Sequence, residues 1–167
     1  DDIDQRNRME MNGLFTWDLG KGEHSRILFK KDGIELAELI YNPKSTEHEN
    51  KSVSIKDLDV PTVSQKPDIV LQLTKSDLQE GMKLTYLFDA KYRIDGKDKN
   101  GVDVPPEDAI NQMHRYRDAI YYKDYQTDSL KKEVIGGYIL FPGDGEPTDV
   151  AVSKFYQSID KVNIGAF

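Results

Sequence analysis

Lys83-Leu84-Thr85-Tyr86-Leu87-Phe88-Asp89-Ala90-Lys91-Tyr92-Arg93-Ile94 is the stretch that decides the fold. Successive strand side chains point to opposite faces. Leu84, Tyr86, Phe88, Ala90, Tyr92 and Ile94 therefore share one face, which is expected to be core. Thr85, Leu87, Asp89, Lys91 and Arg93 share the other, and this face turns polar at Asp89. A strand over 83–94 places the Asp89 carboxylate and the Lys91 ammonium side by side.

Upstream, Pro67-Asp68 opens a second strand, expected over 68–73. Its run Ile69-Val70-Leu71 is continuous, as in a strand buried on both faces. Between the two lies a charged turn over 75–82 with Gly81. Further back, Arg26 to Lys30 and Ile34 to Tyr41 are expected strands joined by the hairpin-type turn Lys31-Asp32-Gly33. Asn42-Pro43 ends the pair, and 43–66 is expected to be a long connection. Residues 1–12 are polar and suit a short helix, while the apolar stretch from Gly13 to Trp17 should pack.

Downstream, 95–104 is a Gly- and Asp-rich loop. Pro106 is tolerated at a helix start, and Glu107 and Asp108 suit a first turn. Ala109, Met113, Tyr116 and Ile120 recur at helical spacing, so a helix is expected to about Tyr122. Val134 to Phe141 is a last buried strand closed by Pro142-Gly143, with a further helix near 149–160. The pattern is an α/β domain with a central mixed β-sheet flanked by helices, one domain over 1–167 with its core at about 26–143. A chain of 167 residues is long enough for one such core.

Composition narrows the chemistry. There are no cysteines, so thiol nucleophiles, disulfides and Cys-based zinc sites are excluded. His24, His48 and His114 lack zinc-ligand spacing. Any metal should be a hard cation on carboxylate oxygens, Mg²⁺ or Mn²⁺. No run approaches the roughly 18 apolar residues of a membrane span. No leader pattern is visible and a cytoplasmic setting is expected, while the opening Asp1-Asp2-Ile3 is expected of a piece of a longer chain. The net charge of −7 runs against an unaided nucleic-acid binder, which is usually basic. A metal at the site inverts that charge locally.

Asp68 and Asp89 at the ends of neighbouring strands are suited to holding Mg²⁺ or Mn²⁺. Lys91 is suited to orienting a water that attacks a phosphate, and the backbone carbonyl of Ala90 is a further candidate ligand. An Asp-x-Lys on a strand is often only a solvated face. Near a sheet centre, however, a carboxylate and an ammonium without a partner or metal are costly.

The order of elements around these residues resembles the PD-(D/E)XK nuclease superfamily, and more narrowly the McrC-like restriction nucleases. The resemblance rests on Lys66-Pro67-Asp68-Ile69-Val70-Leu71, Phe88-Asp89-Ala90-Lys91-Tyr92-Arg93, the segment Gln112 to Ile120 and Tyr138-Ile139-Leu140-Phe141-Pro142-Gly143. Gln112-x-x-x-Tyr116 is similar to the helix motif of RecB-type nucleases, and residues four apart share a helix face. The resemblance implies a restriction-endonuclease-like core and Mg²⁺-dependent hydrolysis of DNA phosphodiesters. Asp68, Asp89 and Lys91 would form its catalytic set, with Gln112 and Tyr116 supporting the site or binding substrate. It also implies a setting in restriction of foreign DNA beside an McrB-like GTPase motor subunit. A homodimer that cuts both strands is left open. Relatives often carry another acidic ligand, for which Glu10, Glu35 and Glu38 are the candidates. The alternative is a catalytically inactive nucleic-acid or protein binding module on the same fold. A paired-carboxylate glycosidase explains Asp68 and Asp89 but not Lys91. No phosphate-loop glycine spacing is present, so nucleotide hydrolysis is not expected.

Overall fold

The computed structural model describes residues 2–5, 10–12, 16–18, 26–32, 34–43, 58–62, 65–74, 83–124, 127–143 and 152–167. The expected 75–82 turn, the packing of 13–15, and His24 and His48 lie outside these residues. Twelve strands and two helices are described. In chain order they are β1 (Asp2–Gln5), β2 (Glu10–Asn12), β3 (Thr16–Asp18), β4 (Arg26–Lys31), β5 (Ile34–Tyr41), β6 (Leu58–Asp59), β7 (Ile69–Thr74), β8 (Lys83–Ala90), α1 (Glu107–Ala119), β9 (Tyr121–Asp124), β10 (Ser129–Lys131), β11 (Val134–Leu140), α2 (Lys154–Val162) and β12 (Ile164–Ala166).

Seven strands form the main sheet in the order β1-β4-β5-β7-β8-β11-β12. Pairing is antiparallel from β1 to β8, then parallel between β8, β11 and β12, so the sheet is mixed. This bears out the expected α/β class. β10-β9-β6 form a second sheet and β2-β3 a hairpin.

Register shows why the centre is stable. Ile40, Val70, Leu87, Gly137 and Ile164 stand opposite one another in one row across five strands. Helix α1 covers this row through Ala109, Met113 and Tyr116. Gly137 permits the close approach: a Cβ there would lie 3.1 Å from Met113 Cβ. On the opposite face, Tyr138 stacks beside Tyr86 with centroids 6.1 Å apart and meets Phe88 at 5.3 Å and Phe167 at 5.5 Å. Helix α2 lies against β12 on that side. A Cβ on Gly165 would run into the Phe155 carbonyl oxygen. Helix α1 therefore covers the centre of one face, and α2 covers the β12 end of the other.

Several expectations need correction. The face of β8 expected as core is only half-buried, while Thr85, Leu87 and Asp89 on the other face are buried. The apolar row of α1 packs there, and helix packing outweighs the simple count of apolar residues per face. Strand β8 ends at Ala90 rather than Ile94. Ile94 is exposed, and Tyr92 is 94% exposed. Residues 1–12 contribute strands β1 and β2, not a helix. β4 lacks a second neighbour without β1, and its open ladder groups recruit that segment. Helix α1 stops at Ala119, because Tyr121 and Tyr122 pair with β6 and β10. The helix expected near 149–160 is described over Lys154–Val162, and 149–151 lie outside the described residues. Ser153 caps its start by accepting the Tyr156 N–H, and Asn163 ends it in the left-handed conformation.

Candidate active site

The site is built where β7 begins and β8 ends. Ile69 pairs with Phe88 and Val70 with Leu87, so continuing the register sets Asp68 against Asp89. Two contacts fix Asp68. Its backbone carbonyl accepts the Asn42 N–H at 2.5 Å, and its Oδ2 accepts the Ala90 N–H at 2.8 Å. Pro67 beside it is buried. The Ala90 N–H thus orients the Asp68 carboxylate toward the end of β8.

Asp89 is 2% exposed. Its Oδ2 accepts a hydrogen bond from Lys91 Nζ, and the two form an ion pair. Burial pushes the Asp89 carboxyl above its ordinary range, and the negative charge of Asp68 adds to this. The hydrogen bond and charge of Lys91 oppose the rise without cancelling it. Two carboxylates facing one another with one partly exposed ammonium are short of positive charge. That is the donor set a hard divalent cation fits.

Helix α1 closes the site from above. Tyr116 donates its hydroxyl hydrogen to the Lys66 carbonyl at 3.0 Å and accepts one from the Gln112 amide. Burial raises the Tyr116 pKa, and the Asp89 and Asp68 charges add to the rise, so the phenol keeps its proton. Gln112 and Tyr116 therefore hold the residue preceding Pro67-Asp68, one helical turn apart on one face. The sequence picks out this pair by its spacing, but the Lys66 carbonyl it grips has no side-chain signature.

The three acidic candidates do not join the pair. Glu38 is 1% exposed but stands opposite Gln72, four residues along the sheet from Asp68. At the rise of a strand that is about 13 Å. Its carboxylate meets the Arg26 guanidinium in an ion pair without hydrogen-bonding geometry. Glu35 lies further along β5, opposite Lys30. Glu10 is on β2, and its side chain is outside the described residues. Among the described residues no three His, Cys, Asp or Glu side chains cluster for a metal. His114 is exposed on α1. Arg93, grouped with Asp89 by alternation, instead pairs with Asp108 at the start of α1 because the strand has already ended.

A family model described as the PD-(D/E)XK nuclease superfamily matches residues 3–146. The chain belongs to this superfamily. The match spans β1 through β11 and so includes Asp68, Asp89, Lys91, Gln112 and Tyr116. Members of the superfamily are nucleases and typically use divalent metals. No curated protein and no solved structure matches the chain. Among the described residues no helix is long and apolar enough to cross a membrane.

Proposed function

We propose that this chain is a Mg²⁺-dependent endonuclease that hydrolyses DNA phosphodiesters at Asp68, Asp89 and Lys91. The observation that carries the reading is the buried Asp89 carboxylate, set against Asp68 and touched by Lys91. Asp68 and Asp89 hold the cation, with the Ala90 carbonyl at the same strand end as a further oxygen donor. A bound divalent cation supplies positive charge that acidifies the attacking water and offsets charge on the phosphoryl oxygens. Lys91, held by Asp89, donates to the water oxygen and keeps it in line with phosphorus. The P–O bond to the 3′ oxygen breaks as the new bond forms. The products carry a 5′-phosphate and a 3′-hydroxyl: the attacking water's proton passes to solvent, and the leaving 3′ oxygen takes a proton from solvent. Tyr116 and Gln112 fix the Lys66 backbone and so the placement of Asp68.

Calorimetric titration with Mn²⁺ tests the site. Binding by the wild type that is lost in Asp68→Asn and Asp89→Asn supports it, and binding unchanged in both refutes it. The same titration separates the nuclease from an inactive binding module on this fold. That second reading draws on the absence of a third acidic group beside the pair among the described residues.

The wider setting we propose is a McrC-like restriction nuclease working beside a GTPase motor in the cytoplasm. It rests on the four segments quoted for that resemblance. A companion motor would also supply the DNA grip that a net charge of −7 does not. Co-purification with an McrB-like GTPase motor should yield a complex with faster cleavage, and no complex and no gain would end the idea.

A further inference from the structure

Tyr92 follows Lys91 directly and is 94% exposed. A large exposed aromatic is unremarkable on a loose loop, but this backbone is held on both sides. The Lys91 N–H donates to the Leu140 carbonyl at 2.8 Å. The Asp95 N–H donates to the Val104 carbonyl at 2.9 Å, and Val104 N–H returns a bond to Gly96 at 2.9 Å. The hairpin they start is closed by the Asp98 carboxylate, which accepts from the Asn100 and Val102 N–H groups at 2.7 and 3.1 Å. Arg93 ties the segment to Asp108 of α1. An aromatic ring on a fixed backbone loses little conformational freedom when it makes a contact.

The exposure of the ring beside Lys91 points to the ligand. Of the cations nearby, Lys91 pairs with Asp89, Arg93 with Asp95 and Asp108, and Lys97 with Asp103, so the segment is close to charge-balanced and the ring is its distinguishing feature. A projecting ring on a fixed backbone, next to the lysine assigned to the attacking water, matches a strand whose base faces are open. In an intact duplex those faces are covered by neighbouring bases.

We propose that Tyr92 is a stacking platform for an unpaired base beside the scissile phosphate, so that the site takes single-stranded DNA or a strand opened from its duplex. The proposal rests on the nuclease reading above and adds the substrate class. Lys91 and Tyr92 are consecutive residues, so the stacked base would lie within a few nucleotides of the cut phosphate.

The test is fluorescence titration of a single-stranded oligonucleotide containing 2-aminopurine, with Ca²⁺ as the cation so that no turnover occurs. A fully paired duplex of the same sequence is titrated alongside. Wild type, Tyr92→Ala, Tyr92→Phe and Tyr92→Trp are compared. Tyr92→Ala should weaken single-strand binding about tenfold and abolish the stacking quench. Phe and Trp should retain both, and duplex affinity should move less than about twofold. Unchanged single-strand affinity in Tyr92→Ala, or equal weakening for single strand and duplex, would overturn the proposal. If Asp89-dependent cleavage with Mg²⁺ persists while Tyr92→Ala has no effect, only the stacking inference falls. If the wild type neither binds nor cleaves DNA, the nuclease reading falls with it.

Discussion

Asp89 holds opposing demands in one side chain. Its burial beneath α1 disfavours the charged form, yet the proposed cation site requires that form. The sign follows from its raised folded-state pKa. Stability from the protonated carboxyl is fully present below its ordinary value and is lost as pH rises through the raised folded value. In metal-free buffer at about pH 8, Asp89→Asn should therefore melt higher than the wild type, with the gain closing near about pH 3. Thermal melts across that range check this, and a wild type more stable than the variant at high pH would contradict it. Tyr116→Phe removes the hydrogen bond to the Lys66 carbonyl. It should cost about 1 kcal/mol in denaturant unfolding and slow cleavage, because Asp68 loses its support from α1.

At the scale of the elements, the glycines of β11 and β12 set how close the helices lie. Gly137→Ala presses on Met113 and should destabilise by about 1–3 kcal/mol. It should also reduce cleavage, since α1 carries Gln112 and Tyr116. Gly165→Ala presses on backbone at Phe155 and should destabilise by a similar or larger amount, with its effect centred on α2. Chemical denaturation measures both. The elements nearest the site were legible in the sequence: β5 through the Lys31-Asp32-Gly33 turn before it and Asn42-Pro43 after it, β11 through its aliphatic run, β7 through Pro67-Asp68, and α1 through the spacing of Ala109, Met113 and Tyr116. What stayed hidden depends on tertiary partners. Thr85 and Asp89 look like a solvated face until α1 covers them. β1 and β12 are short and become strands only against the open edges of β4 and β11. The displacement of Glu38 from the pair follows from the register with Gln72, which a single strand's sequence does not encode. Arg93 and Tyr92 were misplaced for one reason: alternation was extended past Ala90, where the ladder stops.

Across the whole molecule, the mixed sheet brings the start of β7 and the end of β8 to one point, and α1 fixes them from one side. Cation binding should then be visible as stability. Mn²⁺ at 100 times its dissociation constant adds about 2.7 kcal/mol to a folded state that alone binds it. For a chain of this size that is a rise in Tm of about 5–10 °C. The rise should be absent in Asp68→Asn and Asp89→Asn, and an equal rise in all three would place the cation elsewhere. The central claim is that Asp68, Asp89 and Lys91 form a metal-dependent cleavage site, and DNA cleavage with Mg²⁺ tests it most directly. Wild type should cut plasmid or single-stranded DNA and lose that activity in EDTA, while Asp89→Ala and Lys91→Ala should fall by on the order of 100-fold or more. Equal cleavage by all three would contradict the account.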